Sequence, residues 1–71
     1  MIYLEGRLLE KFETKDKNNH IIVMYVKGSG LIKGVCKNGK ELVEGSFYKA
    51  RGNMRVSQGE PFFYFEEVLK K

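Results

Sequence analysis

Apolar and polar positions alternate along most of this chain. In Met1–Thr14, Ile2, Leu4, Gly6 and Leu8 alternate with Tyr3, Glu5 and Arg7, the period of two expected of a strand with one side buried. Leu8-Leu9 and then Phe12 break that phase, and with Gly6 they predict a bulge or a sharp coil. A long, bent first strand is what a small closed barrel needs to pair with two neighbours. The polar stretch Lys15-Asp16-Lys17-Asn18-Asn19 predicts a loop. His20–Lys27 follows as a second strand, in a hairpin with the first. Its centre, Ile21–Val26, is apolar on both faces, so both sides are expected to be covered or used.

Lys27-Gly28-Ser29-Gly30 predicts a flexible turn and Leu31–Lys37 a short third strand, with Leu31 and Val35 on one side and Ile32 and Cys36 on the other. Asn38-Gly39 predicts a two-residue hairpin turn of type I′, with Lys40–Glu44 as the returning strand. In Gly45–Lys71, Phe47, Lys49, Arg51, Asn53 and Arg55 fall on one face. Tyr48, Ala50, Gly52, Met54 and Val56 fall on the other, the expected buried side. Ser57-Gln58-Gly59-Glu60 supplies a turn. Pro61 suits a strand start, where a missing N–H is tolerated. The run Phe62-Phe63-Tyr64-Phe65 opens the last strand, which Glu66–Lys71 completes; Phe63 and Phe65 are expected inside, Phe62 and Tyr64 outside. No segment has a period of 3.6. The expected fold is all-β, a single domain with a five- to six-stranded barrel and little or no helix.

Charge changes the picture more than composition does. The 71 residues carry 13 Lys and Arg against 9 Asp and Glu. From Lys17 to Gly59 eight cations face only Glu41 and Glu44, while the two ends are mildly acidic. A segregated basic stretch points to a polyanionic partner. No apolar run approaches the length of a membrane span. Met1 leads into Ile-Tyr-Leu-Glu without the pattern of a signal peptide. The single cysteine, Cys36, fits a reducing cytoplasm.

The order of these elements, with Gly45, Tyr48-Lys49-Ala50 and Met54-Arg55-Val56-Ser57-Gln58-Gly59-Glu60-Pro61-Phe62-Phe63-Tyr64-Phe65 as strand, turn and closing strand, resembles the OB-fold single-stranded DNA-binding proteins of phages and plasmids. That resemblance implies binding across the second and third strands, the Lys15–Asn19 loop and the Ser57–Glu60 turn. Cellular members of the class carry a flexible acidic tail that recruits partners. This sequence instead reaches Leu69-Lys70-Lys71, so the resemblance does not extend to that role. The aromatic RNA-binding motif of cold-shock domains is also absent.

Binding of this kind needs cations for phosphates and flat rings for bases. The candidate residues are Phe47, Lys49, Arg51 and Arg55 on one strand face, Tyr25 with Lys27, the pair Lys33 and Lys37, and Phe62 with Tyr64. The last two alternatively cover the barrel's open end or a dimer contact, and Tyr3 is expected to be structural. Catalysis finds little support. A nucleophilic pair would need His20 and Cys36 to meet around a pocket. Glu66 and Glu67, adjacent on a strand, are expected on opposite faces. No cluster of His or Cys suggests a metal, no helix start follows Gly28, Gly30 and Gly34 to make a phosphate loop, and no cofactor is expected. Two readings result. One is a sequence-tolerant single-stranded nucleic-acid protein, with DNA favoured over RNA. The other is a small protein-interaction or phage accessory module. Because so small a core gains by burying Ile21, Val23 or Phe62 between copies, a homodimer is expected in either case.

Overall fold

The computed structural model describes residues 1–16 and 18–71; Lys17, part of the predicted loop and of the basic stretch, lies outside the described residues. Five strands are formed: β1 (Ile2–Glu13), β2 (Asn19–Val26), β3 (Gly30–Lys37), β4 (Phe47–Ser57) and β5 (Glu60–Lys70). They close into a barrel in the order β1-β2-β3-β5-β4. Every pairing is antiparallel except that of β3 with β5. The result is a small mixed barrel consistent with an OB-like fold. Among the described residues there is no α-helix, only a 3-10 turn at Gly39–Glu41.

The phase slip in β1 does what the sequence suggests. Ile2–Arg7 pairs with β4, Arg7–Glu13 pairs with β2, and the register shifts between Leu8 and Glu10. The extra residue, Leu9, swings outward, and the bulge bends the strand between its two partners. A Cβ at Gly6 would run into the Tyr25 carbonyl, so glycine is what lets the strand coil this tightly. Inside lie Leu8, Ile22, Met24, Val26, Cys36, Tyr48, Ala50, Phe63 and Phe65. The rings of Phe63 and Phe65 meet edge to face at 4.6 Å. Phe62 and Tyr64 point away, as their alternation with Phe63 and Phe65 predicts.

The predicted strand over Lys40–Glu44 is not formed, and Asn38-Gly39 is not a hairpin turn. A type I′ turn requires positive φ at both central residues; Asn38 has it at 58°, whereas Gly39 does not. Gly39 is needed for another reason. A Cβ there would stand 2.9 Å from Cys36 Sγ and 2.9 Å from His20 Cβ. The chain after it is held to the barrel by side chains. The Val43 N–H donates to the Tyr48 hydroxyl at 2.8 Å, and the Lys11 N–H donates to the Glu44 carboxylate at 3.0 Å. The Lys11 ammonium donates to the carbonyls of Lys40 and Leu42 at 3.1 and 2.7 Å. The two-residue hairpin turn is instead at Gln58-Gly59, where φ is 52° and 81° and Ser57 faces Glu60.

Two further expectations are corrected. Met54 and Val56 share the phase of Tyr48 and Ala50, yet they are exposed, Val56 by 76%. The β1–β4 ladder stops at Gly52, and the β4–β5 hairpin outruns the barrel beneath it. Glu66 and Glu67 do not point to opposite faces. A bulge on β5 sets Arg51 opposite Glu67 and Gly52 opposite Phe65, and Glu66 is the extra residue. Both carboxylates therefore reach Arg51.

Candidate functional site

Alternation along β2 turns Ile22, Met24 and Val26 inward, leaving Asn19, Ile21, Val23 and Tyr25 outside. Alternation along β3 leaves Leu31, Lys33, Val35 and Lys37 outside. None of these eight outward residues is acidic. Register then extends the surface sideways. One row runs Phe47–Arg7–Tyr25–Leu31 across β4, β1, β2 and β3. A second runs Glu10–Val23–Lys33, with Glu10 at its border. A third runs Phe12–Ile21–Val35–Tyr64–Asn53 across all five strands.

Rings and cations gather at the two ends of this face. At one end Tyr25 and Phe47, 48% and 57% exposed, flank Arg7. With Lys27, Tyr3, Glu5 and Lys71 they line a cavity of about 820 Å³. The Arg7 Nε–H donates to the Gly45 carbonyl at 3.2 Å. At the other end Arg55 lies 5.0 Å from the centre of the Tyr64 ring, and Phe62 meets Tyr64 edge-on at 6.0 Å. Tyr64, Arg55, Asn53 and Lys37 line a second cavity of about 480 Å³. Lys33 stands between the two ends.

The Phe47–Arg55 strip expected on β4 is thus divided. At about 3.3 Å per residue, Phe47 and Arg55 are about 26 Å apart along the strand, in a molecule whose longest extent is 29 Å. They serve different ends of the barrel. Between them the cations are matched by acids. Arg51 is bonded to Glu67 at 3.1 Å and to Glu66 at 3.3 Å, and the Glu67 hydrogen bond is the main cause that raises the Arg51 pKa further. Lys49 stands opposite Glu5 in register, and the Glu5 carboxylate bonds Lys71 at 3.0 Å. That bond holds the Glu5 carboxyl below its ordinary range. The sequence shows no acid between Gly45 and Gly59, but β5 and β1 bring theirs alongside.

Three residues outside the sequence-based set join the face. Arg7 and Phe12 lie on the outward phase of β1, Phe12 half exposed. Asn53 enters through its register with Tyr64. The alternation of Tyr3, Glu5 and Arg7 already marked Arg7 as outward; which strands flank it could not be read from the pattern. Tyr3, expected to be structural, is 75% exposed and stands opposite Arg51.

His20 and Cys36 do meet, as in-register partners on β2 and β3. Both are buried, and the His20 Nδ1 has no hydrogen-bond partner among the described residues. Burial pushes the Cys36 thiol pKa up, with Lys11 pulling weakly the other way. A thiol so held stays protonated, the opposite of what a nucleophile requires.

No protein-family model matches this chain, and no curated protein matches it.

Proposed function

We propose that this protein binds single-stranded nucleic acid across the outer face of β2 and β3. The observation that carries this reading is the acid-free outward face of those two strands, closed at each end by exposed rings beside a guanidinium. Tyr25, Phe47, Phe12, Tyr64 and Phe62 offer stacking surfaces. Arg7, Lys27, Lys33, Lys37 and Arg55 stand among them as phosphate partners. A base on Tyr64 takes up the position over the ring that Arg55 occupies, and the displaced guanidinium is then at hand for the adjoining phosphate. The mechanism is counterion release with base stacking. Arg51, committed to Glu66 and Glu67, contributes little, and Lys49 stands beside Glu5.

The test is fluorescence anisotropy of a labelled oligo-dT at low salt, with the same length of duplex as competitor. Oligo-dT is expected to bind, to be released by salt and to resist competition by duplex, whose bases are not free to stack. An absence of binding at low salt would end this reading.

A second reading is favoured by the apolar row Phe12–Ile21–Val35 and by Leu31, which is exposed beside Tyr25. In it the same face buries itself against a second copy. Sedimentation equilibrium separates the two. A dimer that dissociates when oligo-dT is added places both partners on this face, and a monomer at high concentration removes the dimer.

A further inference from the structure

Stacking on Tyr25 or Phe47 accepts any base, but the group between those rings is not indifferent to base identity. We propose that Arg7, a phosphate partner where no guanine is offered, makes this end of the face a subsite selective for guanine over thymine and adenine, an inference that rests on the single-strand reading above. The guanidinium is held in place. Its Nε–H is committed to the Gly45 carbonyl at 3.2 Å. Gly45 is in turn fixed to β1 itself, since its N–H donates to the Leu8 carbonyl at 2.7 Å and the Leu8 N–H donates to the Ser46 carbonyl at 2.9 Å. What remains is the pair of terminal nitrogens, a two-donor fork of set orientation.

Nothing nearby neutralises that fork. Among the described residues Arg7 has no ion pair, and Glu5, the acid in the same cavity, holds Lys71. Arg51, two rows along, shows what a carboxylate-bound arginine looks like in this barrel. Arg7 has rings in register on both sides, Phe47 on β4 and Tyr25 on β2. Adjacent strands are about 4.8 Å apart, so a base lying on either ring presents its edge over Arg7. Guanine carries two neighbouring acceptors there, O6 and N7, which a guanidinium fork matches. Adenine places a donor beside N7, and the two carbonyl acceptors of thymine are separated by its N3–H; cytosine, through N3 and O2, is the one other base with an adjacent acceptor pair.

The experiment uses labelled oligo-dT in which one internal thymine is replaced by guanine, 7-deazaguanine or adenine. The strand can slide, so one guanine finds the subsite. Anisotropy should show the guanine oligomer binding about tenfold more tightly than oligo-dT. 7-Deazaguanine, which lacks only the N7 acceptor, should lose most of that gain, and adenine should show little. Arg7→Met removes the donors altogether and should bind all four oligomers more weakly and alike. Equal binding of guanine and 7-deazaguanine by the wild-type protein would overturn the subsite, as would a guanine preference that survives Arg7→Met. If all four oligomers bind equally the subsite falls and the single-strand reading stands; if none binds at low salt both fall.

Discussion

Arg55 and Arg51 lie four residues apart on β4 and share its outward phase, yet they differ in what they can do. Arg55 rests on an aromatic ring at one end of the β2–β3 face. Arg51 is enclosed by two carboxylates on the β1–β4–β5 side. The same contrast runs through the two surfaces. Over β2 and β3 the cations have no acidic neighbours on their own strands, and rings stand among them. Over β1, β4 and β5 the row Tyr3–Arg51–Glu67 pairs its cation with an acid, and the row Glu5–Lys49–Leu69 sets its cation beside one. Exposed ion pairs of the second kind add little stability, but they do remove cations from competition for an anion. The number of basic residues on a surface therefore says less about polyanion binding than the register that sets acids beside them.

Removing rings should produce the largest difference between the two surfaces. Replacing Tyr25 and Tyr64 together with Leu should weaken oligo-dT binding by about 1–3 kcal/mol for each lost stack, with little change in salt dependence. Leu69→Ala, opposite Lys49 on the ion-paired surface, should leave anisotropy titrations unchanged. A loss from Leu69→Ala as large as that from the double variant would erase the distinction.

A smaller effect comes from making the two surfaces alike. In Glu66→Gln/Glu67→Gln the guanidinium of Arg51 is released at the margin of the cavity that holds Arg55 and Tyr64. Oligo-dT binding should strengthen, and the plot of log affinity against log salt should steepen by about 0.7, one further single-strand contact. If affinity and slope stay the same, the two carboxylates are not what keeps Arg51 from the strand.

The smallest expected effect concerns stability alone. The folded-state pKa of Glu5 is lowered, chiefly by its hydrogen bond to Lys71. The stabilisation this pair brings is present above the ordinary carboxylate range and is lost as pH falls through the lowered value. Thermal melts of wild type and Glu5→Gln should differ slightly at neutral pH and converge in acid. A gap that widens in acid would assign the wrong sign to the pair.

Much of the barrel was legible because alternation is a local signal. Gly6, Leu8-Leu9 and Phe12 marked the bulge in β1, and Phe63 and Phe65 marked the core side of β5. The segment after Asn38 was misread because its glycine looked like turn chemistry. Its reason for being glycine is contact with Cys36, three residues before it, and with His20, the β2 residue opposite Cys36. Glu66 and Glu67 were misplaced because a bulge suspends alternation without changing composition. For the candidate site, residue type and phase placed Tyr25, Lys33, Lys37, Arg55, Phe62 and Tyr64 on the outward side of their strands. Cross-strand register decided the rest. It brought Arg7 between two rings, Phe12 into line with Tyr64, and Glu66 and Glu67 against Arg51. None of those pairings leaves a trace in the local pattern of one strand.

The most direct measurement is the salt dependence of oligo-dT affinity for wild type, Arg55→Ala and Arg51→Ala. With Arg7, Lys27, Lys33, Lys37 and Arg55 each neutralising one phosphate, the wild-type plot of log affinity against log salt should slope at about −3.5. Arg55→Ala should flatten it by about 0.7, and Arg51→Ala should leave it where it was. Equal flattening by the two variants, or an unchanged slope in Arg55→Ala, would contradict the division of this barrel into a surface whose cations are open and one whose cations are already matched.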